Sequence, residues 1–288
     1  MTLNYEKIMA YDSGEIVVRF TRNDTILYAL SIGIGMDPTD EAQMKYVQGR
    51  ELQAFPTMAS TLGWMGRLTD PEYGIDAGMV VASALGLDVH RPLPVEGELV
   101  SRARVSGIID KGPGSAAIIG FERGLFDRSG TRLATIRTST LARKHGGFGG
   151  RPDTAPKPRA IPAGKPDITC DLPTPPNLAL LFQLNGDTNP IHVDPRRARA
   201  AGFARPLLHG AASFGVAAHA LMRCVAGYCT DRFSGMEARF ERPVFPGETL
   251  RTEIWLTGDE ALFCCRTVER GEVALNNGVL RLRRGRDQ

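Results

Sequence analysis

An acid, an amide and an imidazole fall within six residues at Asp187, Asn189 and His192, inside the segment Asn185-Gly186-Asp187-Thr188-Asn189-Pro190-Ile191-His192-Val193-Asp194-Pro195. Gly186 permits backbone angles closed to other residues and Pro190 fixes one. The chain can therefore turn back and bring Asp187 and His192 together although they are five apart. A carboxylate and an imidazole that converge can hold one water between them, as acid and base catalysis of adding or removing water requires. Asp, Asn, Gly and Pro are also ordinary turn formers, and Asp194-Pro195 reads equally as the cap and first turn of a helix through 196–201. Metal ligation is not expected, because His209 is the one nearby second histidine and no compact three-ligand set is in view. Gly210, next in line, can expose a backbone N–H at the positive end of a helix dipole, where negative charge growing on a carbonyl oxygen is stabilised. Close packing at a helix start is its plainer use.

These groups need a frame. His209 to Tyr228 carries Ala212, Gly215, Val216, His219, Ala220, Arg223 and Cys224 at helical spacing, and its small residues suit a helix lying close on a sheet. Alternating segments read as strands at Leu99–Ile109, Ser115–Arg123, Arg132–Ala142, Leu250–Leu256, Ala261–Glu269 and Glu272–Leu282, joined by short turns typical of antiparallel hairpins. The first-half counterpart of the long helix is expected within Gly74–Leu85, where Ala77, Val80, Val81, Ala84 and Leu85 are apolar. The stretch 91–99, RPLPVEGEL, is echoed by 242–250, RPVFPGETL, about one half-chain later. A coincidence between two common hairpin turns is the alternative to an internal repeat. Between Gly146 and Pro176 a run of glycines gives way to eight prolines, the composition of an extended connector without elements of its own. The resulting division is residues 1–150, a connector at 151–175, and residues 176–288, each half reading as one helix cradled by a curved antiparallel sheet.

The bulk properties exclude more than they select. The chain has 288 residues, is 42% hydrophobic and 23% charged, and carries a formal charge of +3, so it holds real cores and is not a disordered segment. No basic stripe interleaved with aromatics supports nucleic-acid binding, while a slight basic excess suits an anionic small molecule. No apolar stretch approaches a membrane span, and the first residues make a poor signal peptide. Five cysteines without a Cys-x-x-Cys unit read as reduced usage, hence an expected cytoplasmic location.

Gly186-Asp187, Asn189-Pro190 and His192, then Gly202-Phe203, Arg205-Pro206 and Leu208-His209-Gly210, follow in an order that resembles the hydratase 2 group of the MaoC-like enzymes. In the first half, Leu27-Tyr28-Ala29-Leu30, His90 to Pro94, Asp110-Lys111-Gly112 and the run Gly146 to Gly150 are similar to its two-domain members. The resemblance covers nearly the whole chain. It implies an α+β double hot-dog, with catalysis in the C-terminal repeat and acyl-chain accommodation in the N-terminal one, where no second Gly-Asp-x-Asn-Pro-x-His occurs. It also implies reversible syn hydration of trans-2-enoyl-CoA to (R)-3-hydroxyacyl-CoA. Asp187 and His192 would be the acid/base pair, Asn189 their orienting neighbour, and Gly210 the donor to the thioester oxygen. No separate cofactor or metal is implied, CoA being part of the substrate, and a homodimer is expected. Asn185 departs from the pattern, since small residues are more usual before the Gly-Asp pair. An amide there can hydrogen-bond within the loop. The segment Phe55 to Met65 offers side chains for an acyl tunnel or simply for the core, and Arg205, Lys111 and Arg242 are cations available to CoA phosphates. Three other readings remain at this point: a hydratase or dehydratase of a branched, dicarboxylic or carrier-protein-bound thioester; a thioesterase; and a noncatalytic acyl-CoA binding protein.

Overall fold

Ten strands form one antiparallel sheet in a computed structural model that describes residues 3–64, 68, 70–150 and 158–283. The first half supplies β1 (Asp12–Phe20), β2 (Val80–Val89), β3 (Gly97–Asp110), β4 (Ala116–Phe126) and β5 (Arg132–Arg143), and the second β6 (Ile168–Pro173), β7 (Phe233–Phe240), β8 (Thr249–Thr257), β9 (Glu260–Thr267) and β10 (Val273–Leu282). The helices are α1 (Tyr5–Met9), α2 (Arg22–Leu30), α3 (Glu41–Met44), α4 (Leu178–Phe182), α5 (Pro195–Ala200) and α6 (Gly210–Leu221). The strand order is β1-β3-β4-β5-β2-β7-β10-β9-β8-β6. Read outward from the β2–β7 seam, each half repeats the same connectivity. This is the α+β double hot-dog. The turns that carry the sequence echo are equivalent, one leading from β2 into β3 and the other from β7 into β8. Each is followed by a glutamate that pairs with an arginine of the far hairpin turn: Glu98 with Arg128 at 3.0 Å, and the buried Glu248 with Arg270 at 2.5 Å.

In the second half the sheet wraps α6, whose residues 212–221 are all buried. Helical hydrogen bonding gives way to a π-helical turn at Met222–Ala226, which ends on left-handed Gly227 and Tyr228. In the first half the described residues before β2 hold short 3-10 turns, among them Pro56–Ser60, in place of a long helix, and the apolar segment 77–85 forms no α-helix. A short 3-10 turn, Ala77–Met79, leads instead directly into β2. It is a strand in the middle of a wide sheet, flanked by β5 and β7, in which Leu85, Leu87 and Val89 alternate as buried residues while a register shift between Ala82 and Ala84 breaks the period of two nearer its start. The connector also holds an element. Ile168–Pro173 pairs with β8 as the outermost strand, a place where a proline without an N–H is tolerated. Residues 151–157 of the connector lie outside those described.

The halves meet closely. A Cβ on Gly215 would stand 2.4 Å from Ile32, so the chain leaving α2 lies directly on α6. Tyr46 donates its hydroxyl to the Tyr228 carbonyl at 2.5 Å, and Arg281 reaches Asp88 across the seam at 2.8 Å. No helix among the described residues is long and apolar enough to cross a membrane.

Candidate active site

The loop after α4 is shaped by local bonds. A 3-10 turn at Gln183–Asn185 ends at Gly186 with φ of 110°, a conformation that strains any residue with a Cβ. The next residue, Asp187, accepts from the Asn189 N–H at Oδ1, 3.2 Å away. Asn189 then accepts the Ile191 N–H on its own side-chain oxygen, capping the turn Pro190–His192 that presents the imidazole. Leu207 N–H bonds to the Ile191 carbonyl at 3.3 Å, and the Leu207 carbonyl accepts from His192 Nδ1 at 3.0 Å. A carbonyl can only accept, so Nδ1 carries a proton, and in the neutral tautomer that this bond selects the lone pair lies on Nε2.

The loop and the start of α6 bring Asp187, His192 and His209 together, with one ligating atom of each within 4.8 Å of the others. Two hydrogen bonds of about 2.8 Å meeting at a tetrahedral water span about 4.6 Å, so groups this close are within reach of one shared water. His209 is the third member that the residue pattern set aside. It is fully buried, its ring stacks on His192 at 3.9 Å and 28°, and Phe182 lies 5.0 Å from it on α4. Its Nε2 donates to the Asp187 carbonyl at 3.0 Å, which pins the backbone of the loop to the mouth of α6. The same three side chains are the His and acid cluster of the described residues with donor atoms close enough for a cation, although that bond already engages Nε2 of His209. Gly210 follows as the first residue of α6, where helical geometry leaves its N–H without an internal acceptor. A Cβ there would press on Phe240 at 3.2 Å.

Asn185 does bond within the loop, donating to the Phe182 carbonyl at 3.0 Å. The same amide reaches Ser31 of the first half at 2.9 Å, so it ties the loop to the opposite repeat. Tyr28, buried beside Phe182, donates to Thr57 at 2.8 Å, and Phe55, Met58, Ala59 and Leu62 join the same core. Met65 lies outside the described residues. Arg205 stacks over Phe245 at 4.9 Å and donates to the Pro246 carbonyl.

Burial, and next the adjoining His192, push His209 down to about 4, and burial pushes His219, which bonds Tyr228 at 2.8 Å, to about 4 as well. Both are neutral in the fold, while an unfolded histidine titrates near 6.5. Their contribution to stability is complete above that value and is lost as pH falls toward 4, at up to about 1.4 kcal/mol per pH unit for each histidine. Urea unfolding followed against pH is expected to show this fall, with a clearly shallower slope in His219→Gln. Identical slopes would show that His219 does not titrate as described.

The chain resembles known proteins over nearly its whole length. Residues 157–277 match the MaoC like domain and residues 18–144 the MFE-2 hydratase 2 N-terminal domain. Enoyl-CoA hydratase 2, peroxisomal, of Arabidopsis thaliana is 34% identical over 94% of this chain and 93% of its own. The 3-hydroxyacyl-thioester dehydratase Y of Mycobacterium tuberculosis is 36% identical over 92% and 90%. A crystal structure of a MaoC-like dehydratase from Phytophthora Capsici superposes with a TM-score of 0.85 at 27% identity, covering 98% of each chain. The cytoplasmic expectation does not stand: the Arabidopsis relative is peroxisomal, as are multifunctional enzymes of Mus musculus and Drosophila melanogaster that are 31% and 30% identical. All five cysteines are free, but unpaired thiols report a reducing environment rather than one compartment.

Proposed function

Because the chain belongs to the MaoC-like hydratase 2 family of double hot-dog proteins, with hydratase or dehydratase chemistry on acyl thioesters, we propose that it adds water reversibly to trans-2-enoyl-CoA and yields (R)-3-hydroxyacyl-CoA. The observation that carries this reading is the approach of Asp187 and His192 to within the span of one water.

In the forward direction His192 Nε2 and the Asp187 carboxylate share a water and remove its proton as its oxygen attacks C3. Negative charge moves through the conjugated system to the thioester oxygen, where the Gly210 N–H strengthens its bond as the charge grows. The proton returns to C2 from the same side, which makes the addition syn. Asn189 acts by holding Asp187 through its N–H and the His192 turn through its side chain. His209 positions the pair from beneath, through its bond to the Asp187 carbonyl and its stack on His192. The acyl chain runs into the first repeat, a placement supported by the 3-10 turn that stands there in place of a central helix.

Purified protein given crotonyl-CoA and longer trans-2-enoyl-CoA substrates is expected to bleach the conjugated absorbance and to form the (R) product on chiral analysis. An (S) product, or saturable binding without hydration at any chain length, would overturn the proposal.

A further inference from the structure

The inward row of β4 reads Ala117, Ile119, Phe121, Arg123 and Leu125, all buried, with Arg123 at 4% exposure the one charged member. Arg123 Nη2 donates to the Ser60 carbonyl at 2.6 Å, and its Nη1 is buried with no hydrogen-bond partner. Burial alone lowers the guanidinium to about 10, with no carboxylate acting against it, so it stays charged at neutral pH. Among the described residues its hydrogen-bond partner is one neutral carbonyl, so this buried cation lacks there the counter-charge that normally offsets lost hydration.

The internal repeat marks the position as specialised. Leu99, Ser101 and Ala103 of β3 correspond to Leu250, Thr252 and Ile254 of β8, and all six are buried. Opposite Ala103 stands Arg123, whereas opposite Ile254 stands Phe263, a fully buried ring in the core around α6. The repeat without a full central helix thus carries a guanidinium where the other carries an aromatic. A chain of contacts links this point to the catalytic loop: His209 to Phe182 at 5.0 Å, Phe182 to Tyr28 at 6.2 Å, Tyr28 to Thr57 at 2.8 Å, and then Ser60 at the end of the same 3-10 turn.

We propose that Arg123 is the receptor for a carboxylate at the far end of the acyl chain, so that the substrates best suited to this chain are ω-carboxylated 2-enoyl thioesters. The inference rests on the hydratase reading and on the acyl chain entering the first repeat. A carboxylate brings the missing counter-charge and an acceptor for Nη1, whereas a terminal methyl leaves that N–H unpaired.

The test compares kcat/KM for pairs of trans-2-enoyl-CoA substrates of equal length, one ending in a carboxylate and one in a methyl, over medium and long chains. Wild type is expected to favour the carboxylate at one chain length by roughly ten- to a hundredfold, and Arg123→Met to collapse that ratio. A methyl preference or no preference in wild type at every length overturns the proposal without any variant, which covers the case that Arg123→Met does not fold. A preference that survives in Arg123→Met also overturns it. Equal preference for the methyl ester of the ω-acid would show that a neutral oxygen suffices, and would overturn the assignment of a carboxylate. Hydration of crotonyl-CoA by wild type reports the underlying reaction separately. If it fails, equilibrium binding of the matched saturated acyl-CoA pairs still reads the Arg123 site.

Discussion

Asp187→Asn is expected to lower kcat by roughly 10²- to 10⁴-fold while the protein keeps its fold and binds acyl-CoA. The amide has the shape of the acid and retains an oxygen to accept the Asn189 N–H, so the turn that aims His192 survives. What is lost is the charge that lets a bridging water surrender its proton. His192→Ala removes the other end of the bridge and is expected to lose a similar amount. The double variant should be little worse than either, because two groups acting on one water do not contribute independently. Rates measured under saturating substrate, with thermal unfolding as the check on folding, decide the matter. Near-normal turnover in both single variants would show that the two residues are only a turn.

Gly210→Pro isolates the other half of the mechanism. Proline is favoured at the first position of a helix and there costs no internal hydrogen bond. The residue before it must be extended, and His209 already is, with φ of −57° and ψ of 139°. The variant therefore deletes one N–H while leaving the start of α6 in place. Loss of an oxyanion donor is expected to reduce kcat by about 10²- to 10³-fold. Bulk against Phe240 is the confounding effect, and Gly210→Ala supplies the control, since it adds the Cβ that meets the ring at 3.2 Å and keeps the donor. The alanine variant should lose much less than the proline one. Equal losses would assign the effect to crowding and remove the Gly210 N–H from the reaction.

Much of the fold is legible in the residue pattern. Hairpins with polar faces announce themselves by alternation, and β3, β4, β5, β8, β9 and β10 fall within a few residues of their expected limits. The elements that escaped were those whose surroundings suppress the pattern. β2 lies mid-sheet, and the closely spaced apolar residues of its first half, at a register shift, imitate a helix, while β6 is an edge strand inside a proline-rich connector. The density of polar residues marked the loop from Asp187 to His192. His209 and Asn185 were harder, because their contacts reach residues far along the chain: His209 stacks on His192, and Asn185 bonds to Ser31, 154 residues away. Arg123 gave no signal at all, since an arginine in an alternating strand is expected to face solvent, and only the completed sheet puts it on the inward side.

Hydration carried out in deuterium oxide tests the central claim most directly, because one water held between Asp187 and His192 must deliver both of its parts to the same face of the double bond. The expected product is (R)-3-hydroxyacyl-CoA with a single deuterium at C2, on the face that received the hydroxyl, as read by NMR of the isolated product. Deuterium on the opposite face, or distributed over both, would contradict delivery from a single water and with it the role given to the pair.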